Sequence, residues 1–117
     1  MPLIYVTTSV EHPAPGVRAK LLTALSRTLS EAFGKPERWV MTALAPRAEM
    51  TFGGTPEPAC YVEVKNIGTL EPAQSEALSS MLCARLANGL GIAADRIYIE
   101  FTNASGPLWG WNGTTFG

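Results

Sequence analysis

One plan is written twice in this chain, and that duplication constrains the fold more than any other feature. The stretch "LSRTLSEAFGKPERWVMTAL" at 25–44 matches "LCARLANGLGIAADRIYIEF" at 82–101 in its order of helix, turn and strand. A strand-like run precedes each helix: "LIYVTTSV" at 3–10 and "ACYVEVKNI" at 59–67. The halves, about 2–49 and 59–107, therefore each read strand–helix–strand, within a single domain spanning 1–117. A strand–helix–strand unit sets its outer strands parallel through a right-handed crossover. Two units then combine into a four-stranded mixed sheet with both helices on one face, plus short edge strands. The expected class is α/β, in the form of an α+β sandwich.

Helical periodicity supports this. From about Val17, Leu21, Leu25 and Leu29 recur every four residues, with Leu22 beside them and Phe33 beyond. Gly34 suits a helix end and Pro36 opposes continuation. A strand is expected from Trp39 to Leu44. The second helix is expected to begin at Thr69 or Leu70. Its stripe is Leu78, Leu82, Leu86 and Leu90, helped by Met81, and Gly89 or Gly91 ends it. "DRIYIEFTN" reads as the last long strand. "APRAEMTFGGTPEP" is a connection in which "EMTF" is a candidate short strand.

Both helices on one face leave the other face of the sheet bare. Alternation in "LIYVTTSV" and "RIYIEF" looks weak, so the bare face is expected to be apolar and covered by further subunits. Composition agrees: charged residues are 16% of the 117 residues, against roughly 25% in typical soluble domains. A net charge of −1 with no basic block gives no electrostatic reason for nucleic acid or a membrane surface as partner. No run approaches a bilayer span, and "PLIYV" is too short and unflanked for a secretion signal. The expected compartment is the cytoplasm, with export independent of a signal peptide as the alternative. Cys60 and Cys83 match no disulfide scaffold or metal-ligand spacing and read as small buried hydrophobes. His12 reads as a loop histidine. "FGG" at 52–54 lacks the flanking pattern of a phosphate loop. Arg18, Lys20, Arg27, Glu31 and Arg85 read as solvated helix charges.

Pro2 has two readings. Proline lacks an N–H and is tolerated at the start of a strand. If Met1 is removed, Pro2 instead carries a secondary amine that can act as base or nucleophile. While Met1 remains, that nitrogen is an amide.

The residues that decide between these readings lie along the whole chain: "MP" at 1–2, "GKPERWVM" at 34–41, "MTFGGTPEP" at 50–58, "NIG" at 66–68, "DRIYIEF" at 95–101 and "GWNGTTF" at 110–116. In order and spacing they resemble the macrophage migration inhibitory factor and D-dopachrome tautomerase family of the tautomerase superfamily. The resemblance implies a homotrimer with active sites at subunit interfaces, using the amino-terminal proline left after methionine removal.

By this resemblance Pro2 is the catalytic base. A terminal amine starts near pKa 8, and an apolar pocket and a neighbouring cation both lower it toward the operating pH. Lys35 resembles the active-site lysine that pairs with a substrate carboxylate and disfavours amine protonation; its other reading is a cation at a helix C-terminus. Ile67 resembles the residue whose backbone N–H meets the carboxylate. Tyr98 resembles a pocket tyrosine supplied by the neighbouring subunit. Trp111 and Phe116 resemble an aromatic wall and lid, Trp109 a pocket-lining position often smaller in relatives, and Trp39 a position at the mouth often held by tyrosine. Trp109, Trp111 and Phe116 also read as packing within a trimer.

Three departures stand out. Glu100 occupies a place held by asparagine in animal relatives: near Pro2 it would raise the amine pKa and repel a carboxylate, and otherwise it points away or pairs with an arginine. Lys65 stands where an animal member has histidine, and reads as a cation at the mouth or a solvated strand lysine. A Cys-x-x-Cys pair is absent, its places taken by Ala59 and Val62, which excludes chemistry dependent on that pair.

The expected function is cofactor-independent keto–enol tautomerisation of small aromatic α-keto acids such as phenylpyruvate, or dopachrome-like substrates. No metal or organic cofactor is called for. The alternatives are a cytokine-like mediator that binds a protein receptor and keeps residual catalysis, a proline-dependent dehalogenase-like or decarboxylase-like enzyme, and an inert trimer.

Overall fold

The computed structural model describes residues 1–11 and 14–117. His12 lies outside the described residues. The long elements are β1 (Leu3–Thr8), α1 (Pro15–Phe33), β2 (Met41–Ala45), β3 (Cys60–Ile67), α2 (Pro72–Leu90) and β4 (Ile97–Ala104). A C-terminal hairpin, β5 (Gly110–Trp111) and β6 (Thr114–Thr115), follows. The main sheet runs β2-β1-β3-β4. β1 is parallel to β2, β3 is parallel to β4, and the two units join through the antiparallel β1–β3 pair. This is the expected four-stranded mixed sheet of two β-α-β units.

Both helices start at a proline. Pro15 and Pro72 each occupy the first turn, where a missing N–H costs nothing. These first-turn prolines set the starts, so α1 begins before Val17 and α2 after Leu70. Glu71 caps α2 in a box with Gln74, whose side chain accepts from the Glu71 N–H at 2.9 Å. Gly91 closes α2 in the left-handed region, while Gly89 remains helical and faces Leu21 of α1.

The core is the layer between sheet and helices. Ile4 and Val6 of β1 and Val62 and Val64 of β3 meet Leu21, Leu25 and Leu29 of α1 and Leu78, Leu82, Leu86 and Leu90 of α2. The leucine stripes are buried as their spacing predicts. Met81 is not part of the stripe; it is 44% exposed. Cys60 is buried, and burial together with Cys83 pushes its thiol up to about 12. Cys83 is half-buried and donates to the Ala94 carbonyl.

The open face is mixed. β3 alternates strictly, with Cys60, Val62, Val64 and Asn66 buried and Tyr61, Glu63, Lys65 and Ile67 half-buried. β1 and β4 follow the same period, so Leu3, Tyr5, Thr7, Tyr98, Glu100 and Thr102 share the outer face, with Met41 of β2 opposite Leu3. Alternation is stricter than the sequence suggests and brings threonines and charges to that face. It still presents apolar and aromatic side chains, among them exposed Met41, Tyr5 and Tyr98, and Leu108 and Trp111 of the C-terminal segment are exposed as well.

Smaller corrections follow from local geometry. Trp39 belongs to a 3-10 turn, Glu37–Trp39, so β2 begins at Met41. "EMTF" contributes a single bridge, Phe52 to Thr55. Lys20, Arg27, Glu31 and Arg85 are exposed, but Arg18 is half-buried and lines a groove with Leu22 and Leu44.

Candidate active site

The start of β1 is held from both sides. Pro2 is buried, and its carbonyl accepts from the Met41 N–H at 3.0 Å, which extends the β1–β2 ladder toward the chain end. Continuing the antiparallel β1–β3 register past Leu3–Lys65 sets Met1 across from Ile67. The terminal amine thus emerges where α1 ends and β3 ends.

Lys35 arrives there because α1 stops abruptly. Gly34 takes φ +61°, its N–H reaches the Glu31 carbonyl, and the Lys35 N–H reaches the Ser30 carbonyl at 3.1 Å. This is the pattern in which a left-handed glycine reverses the chain at a helix end. The Ser30 hydroxyl locks the turn by donating to the Lys35 carbonyl at 2.6 Å. The side chain then crosses to β3, where Nζ donates to Asn66 Oδ1 at 2.9 Å and to the Ile67 carbonyl at 2.6 Å.

The terminal amine beside it is pulled down from 8.0 to about 6. Partial burial is the larger cause, because it disfavours the charged form. The Lys35 ammonium adds a hydrogen-bonding and a like-charge contribution in the same direction.

Next to this amine lies a cavity of about 310 Å³, lined by Met1, Pro2, Leu3, Trp39, Met41, Trp109, Gly110, Trp111 and Phe116. The aromatic wall is a mutually packed set. Trp39 meets Trp111 edge-on at 4.9 Å and Phe116 at 5.9 Å, and Trp111 stacks on Phe116 at 5.9 Å. Edge-to-face and offset-stacked rings are the geometries aromatic quadrupoles favour. The C-terminal hairpin delivers this wall. Asn112 and Gly113, both at positive φ, form its two-residue turn, and the Phe116 N–H bonds the carbonyls of Gly106 and Trp109.

Pro2, Trp39, Trp109, Trp111 and Phe116 thus share one cavity, with Lys35 beside the terminal amine and the Ile67 carbonyl holding Lys35. Tyr98 and Glu100 do not join them within one chain. Tyr98 lines a separate cavity of about 290 Å³ with Met50, Phe52 and Tyr61, and its ring lies 4.8 Å from that of Phe52. The Glu100 carboxylate is occupied by the Tyr61 hydroxyl at 2.9 Å. Lys65 is 3.9 Å from Glu63 on the open face; it does not line the aromatic cavity, although it lies across from Leu3, which does.

Three contributors escaped sequence reasoning. Asn66 anchors Lys35, and its only signal was a polar residue in a strand's buried row. Tyr61 holds Glu100. Arg96 donates to the carbonyls of Phe52, Thr55, Glu57 and Pro58 while lying 5.3 Å over the Phe52 ring. Its signal was an arginine, with five fixed donors, beside a Pro/Gly loop whose carbonyls have no sheet partners.

Duplicated β-α-β units carrying an N-terminal amine beside an aromatic cavity define the tautomerase fold. A family model described as macrophage migration inhibitory factor (MIF) matches residues 1–117, and the chain belongs to that family. The macrophage migration inhibitory factor of Meriones unguiculatus is 37% identical over 116 residues, 99% of each chain. Among solved structures, a macrophage migration inhibitory factor homologue from Prochlorococcus marinus is 48% identical with a TM-score of 0.93, covering 98% of this chain and 99% of that one. The Trichinella spiralis protein is 32% identical with a TM-score of 0.89, covering 97% and 99%.

Proposed function

We propose that the chain, once Met1 is removed, is a cofactor-independent keto–enol tautomerase of small aromatic α-keto acids such as phenylpyruvate, with Pro2 as general base. The observation that carries this reading is the depressed terminal amine beside Lys35, at the edge of an aromatic cavity. Removal of Met1 exposes the Pro2 ring nitrogen one residue further in. Burial at Pro2 and a cation on Lys35 nearby would favour its neutral, proton-accepting form, by the same physics that lowers the Met1 amine.

In the proposed mechanism the substrate carboxylate pairs with Lys35 and the backbone at Ile67. Its ring rests among Trp39, Trp109, Trp111 and Phe116. Pro2 takes the proton from the enol hydroxyl, or from the carbon beside the carbonyl, and returns it to the other atom. A cavity of about 310 Å³ is at the small end of the usual ligand range, which suits a single-ring acid. Fixed orientation and a base tuned near the working pH supply the rate.

The active assembly proposed is a homotrimer in which a neighbour brings Tyr98 to this cavity. Exposed Tyr98, Met41, Leu108 and Trp111, on two edge strands and the C-terminal segment, support subunit contacts there.

Tautomerisation kinetics of processed protein, Pro2→Gly and a form retaining Met1 test the reading. Both altered forms are expected to lose about 100-fold or more of kcat/KM. Equal rates in all three would sink the role of Pro2. Halide release from a haloacrylate, without phenylpyruvate turnover, would instead favour the hydrolytic branch of the superfamily.

A further inference from the structure

Asn66 stands in the wrong row for a polar residue. Its predecessors on that face of β3, Cys60, Val62 and Val64, are core side chains, and Asn66 itself is only 9% exposed. A buried amide is costly unless bonded. Its oxygen is bonded, at 2.9 Å, to Lys35 Nζ. The second acceptor on that ammonium is the Ile67 carbonyl. Both acceptors are neutral. They fix the position of the ammonium and leave its full charge, and one of its three protons, directed elsewhere. An aspartate in the same place would hold the lysine equally well and cancel its field.

We propose that Asn66 is a positioning residue: it clamps the Lys35 ammonium beside the chain-terminal nitrogen through a neutral acceptor, so that the ammonium keeps its charge for that nitrogen and for an incoming carboxylate. This deepens, and rests on, the tautomerase reading above. The surrounding charges have their own arrangements. On β3, Lys65 faces Glu63 on the open side of the sheet. On the turn before β2, Glu37 accepts from Ser26 at 3.0 Å and Arg38 lies 5.5 Å over the Trp39 ring. At the end of α1, Glu31 is exposed.

The experiment compares wild type, Asn66→Asp, Asn66→Ser and Asn66→Ala, each confirmed by intact mass to begin at Pro2. Two quantities are read. One is the NMR titration of isotopically labelled Pro2; the other is the pH profile of kcat/KM for phenylpyruvate. Asn66→Asp is expected to raise the Pro2 midpoint by roughly one pH unit, because a carboxylate stabilises a nearby ammonium. The acid limb of kcat/KM should move with it. Asn66→Ser keeps a neutral acceptor and should stay near wild type. Asn66→Ala should raise KM several-fold, with a smaller upward shift of the midpoint. If Asn66→Asp does not fold, the alanine variant carries the same decision.

An unmoved Pro2 midpoint in these variants overturns the proposal, even if wild type turns over phenylpyruvate rapidly. Conversely, a shifted midpoint in a protein without tautomerase activity upholds the clamp and overturns the tautomerase reading.

Discussion

The Tyr61 hydroxyl donates a 2.9 Å hydrogen bond to Glu100, joining diagonal neighbours across β3 and β4. The strand register explains why. Glu63 lies directly opposite Glu100, and like charges so paired repel. Each carboxylate has a separate compensator, Tyr61 for Glu100 and Lys65 for Glu63. Glu100, the departure with the greatest consequence for the amine, is therefore held on the open face by its own chain. Donating this hydrogen bond holds the Tyr61 phenol above its ordinary range. Glu100→Gln should bring that phenol back toward the usual tyrosine value in an ultraviolet titration, with Tyr61→Phe identifying the band. No change between wild type and Glu100→Gln would count against the pair.

The terminal amine links stability to pH. Its folded value of about 6 lies below the 8.0 of a free amine, so the unfolded chain takes up the proton first as pH falls. The native state of the Met1-bearing protein should therefore lose stability as pH drops from 8 to 6, with no further loss from this group below that window. Denaturant unfolding across that range, with Lys35→Gln as comparison, checks it. The variant should show a shallower dependence, since one of the forces lowering the amine is gone.

Arg96 ties the Phe52–Pro58 loop to the start of β4. Arg96→Lys keeps the charge but not the planar fork that reaches several carbonyls together. A loss of about 2 kcal/mol is expected, the scale of hydrogen bonds to a charged group. Hydrogen exchange should quicken at the Phe52 and Thr55 amides, which pair with each other. Unchanged exchange would mean the loop holds itself.

Gly34 sets the direction of Lys35. Gly34→Ala puts a Cβ at φ +61° and should cost about 1–2 kcal/mol in stability. KM should rise, because the Lys35 turn can escape the strain only by moving. A stability loss with KM unchanged would show that the side chain finds its anchors without the cap.

Much of this arrangement was legible in residue order. The leucine spacing in α1 and α2 fixed which faces pack, and Gly34 marked the end of the first helix. The helix starts were less legible: they were expected near Val17 and at Thr69 or Leu70, whereas Pro15 and Pro72 open the helices, because a first-turn N–H needs no partner. Alternation in β1 and β4 is stricter than it reads, because Tyr5 and Tyr98 count as apolar in a hydrophobic tally yet stand in the outer rows of their strands. The Asn112-Gly113 turn was readable from its dipeptide, though it sits in a segment that looks like a loose tail.

By itself the sequence determined the duplicated strand–helix–strand plan and the core rows, because these follow from periodicity and from turn residues that act locally; the residues of the aromatic wall were legible only through the family resemblance. Only tertiary structure decided that Lys35 is anchored by Asn66 and the Ile67 carbonyl, that Tyr61 holds Glu100, and that Arg96 gathers the loop carbonyls of Phe52, Thr55, Glu57 and Pro58. The physical reason is range. Periodicity records which face a residue takes on its own element, whereas a hydrogen bond between residues 31 or 39 positions apart depends on how two strands and a helix end are brought together.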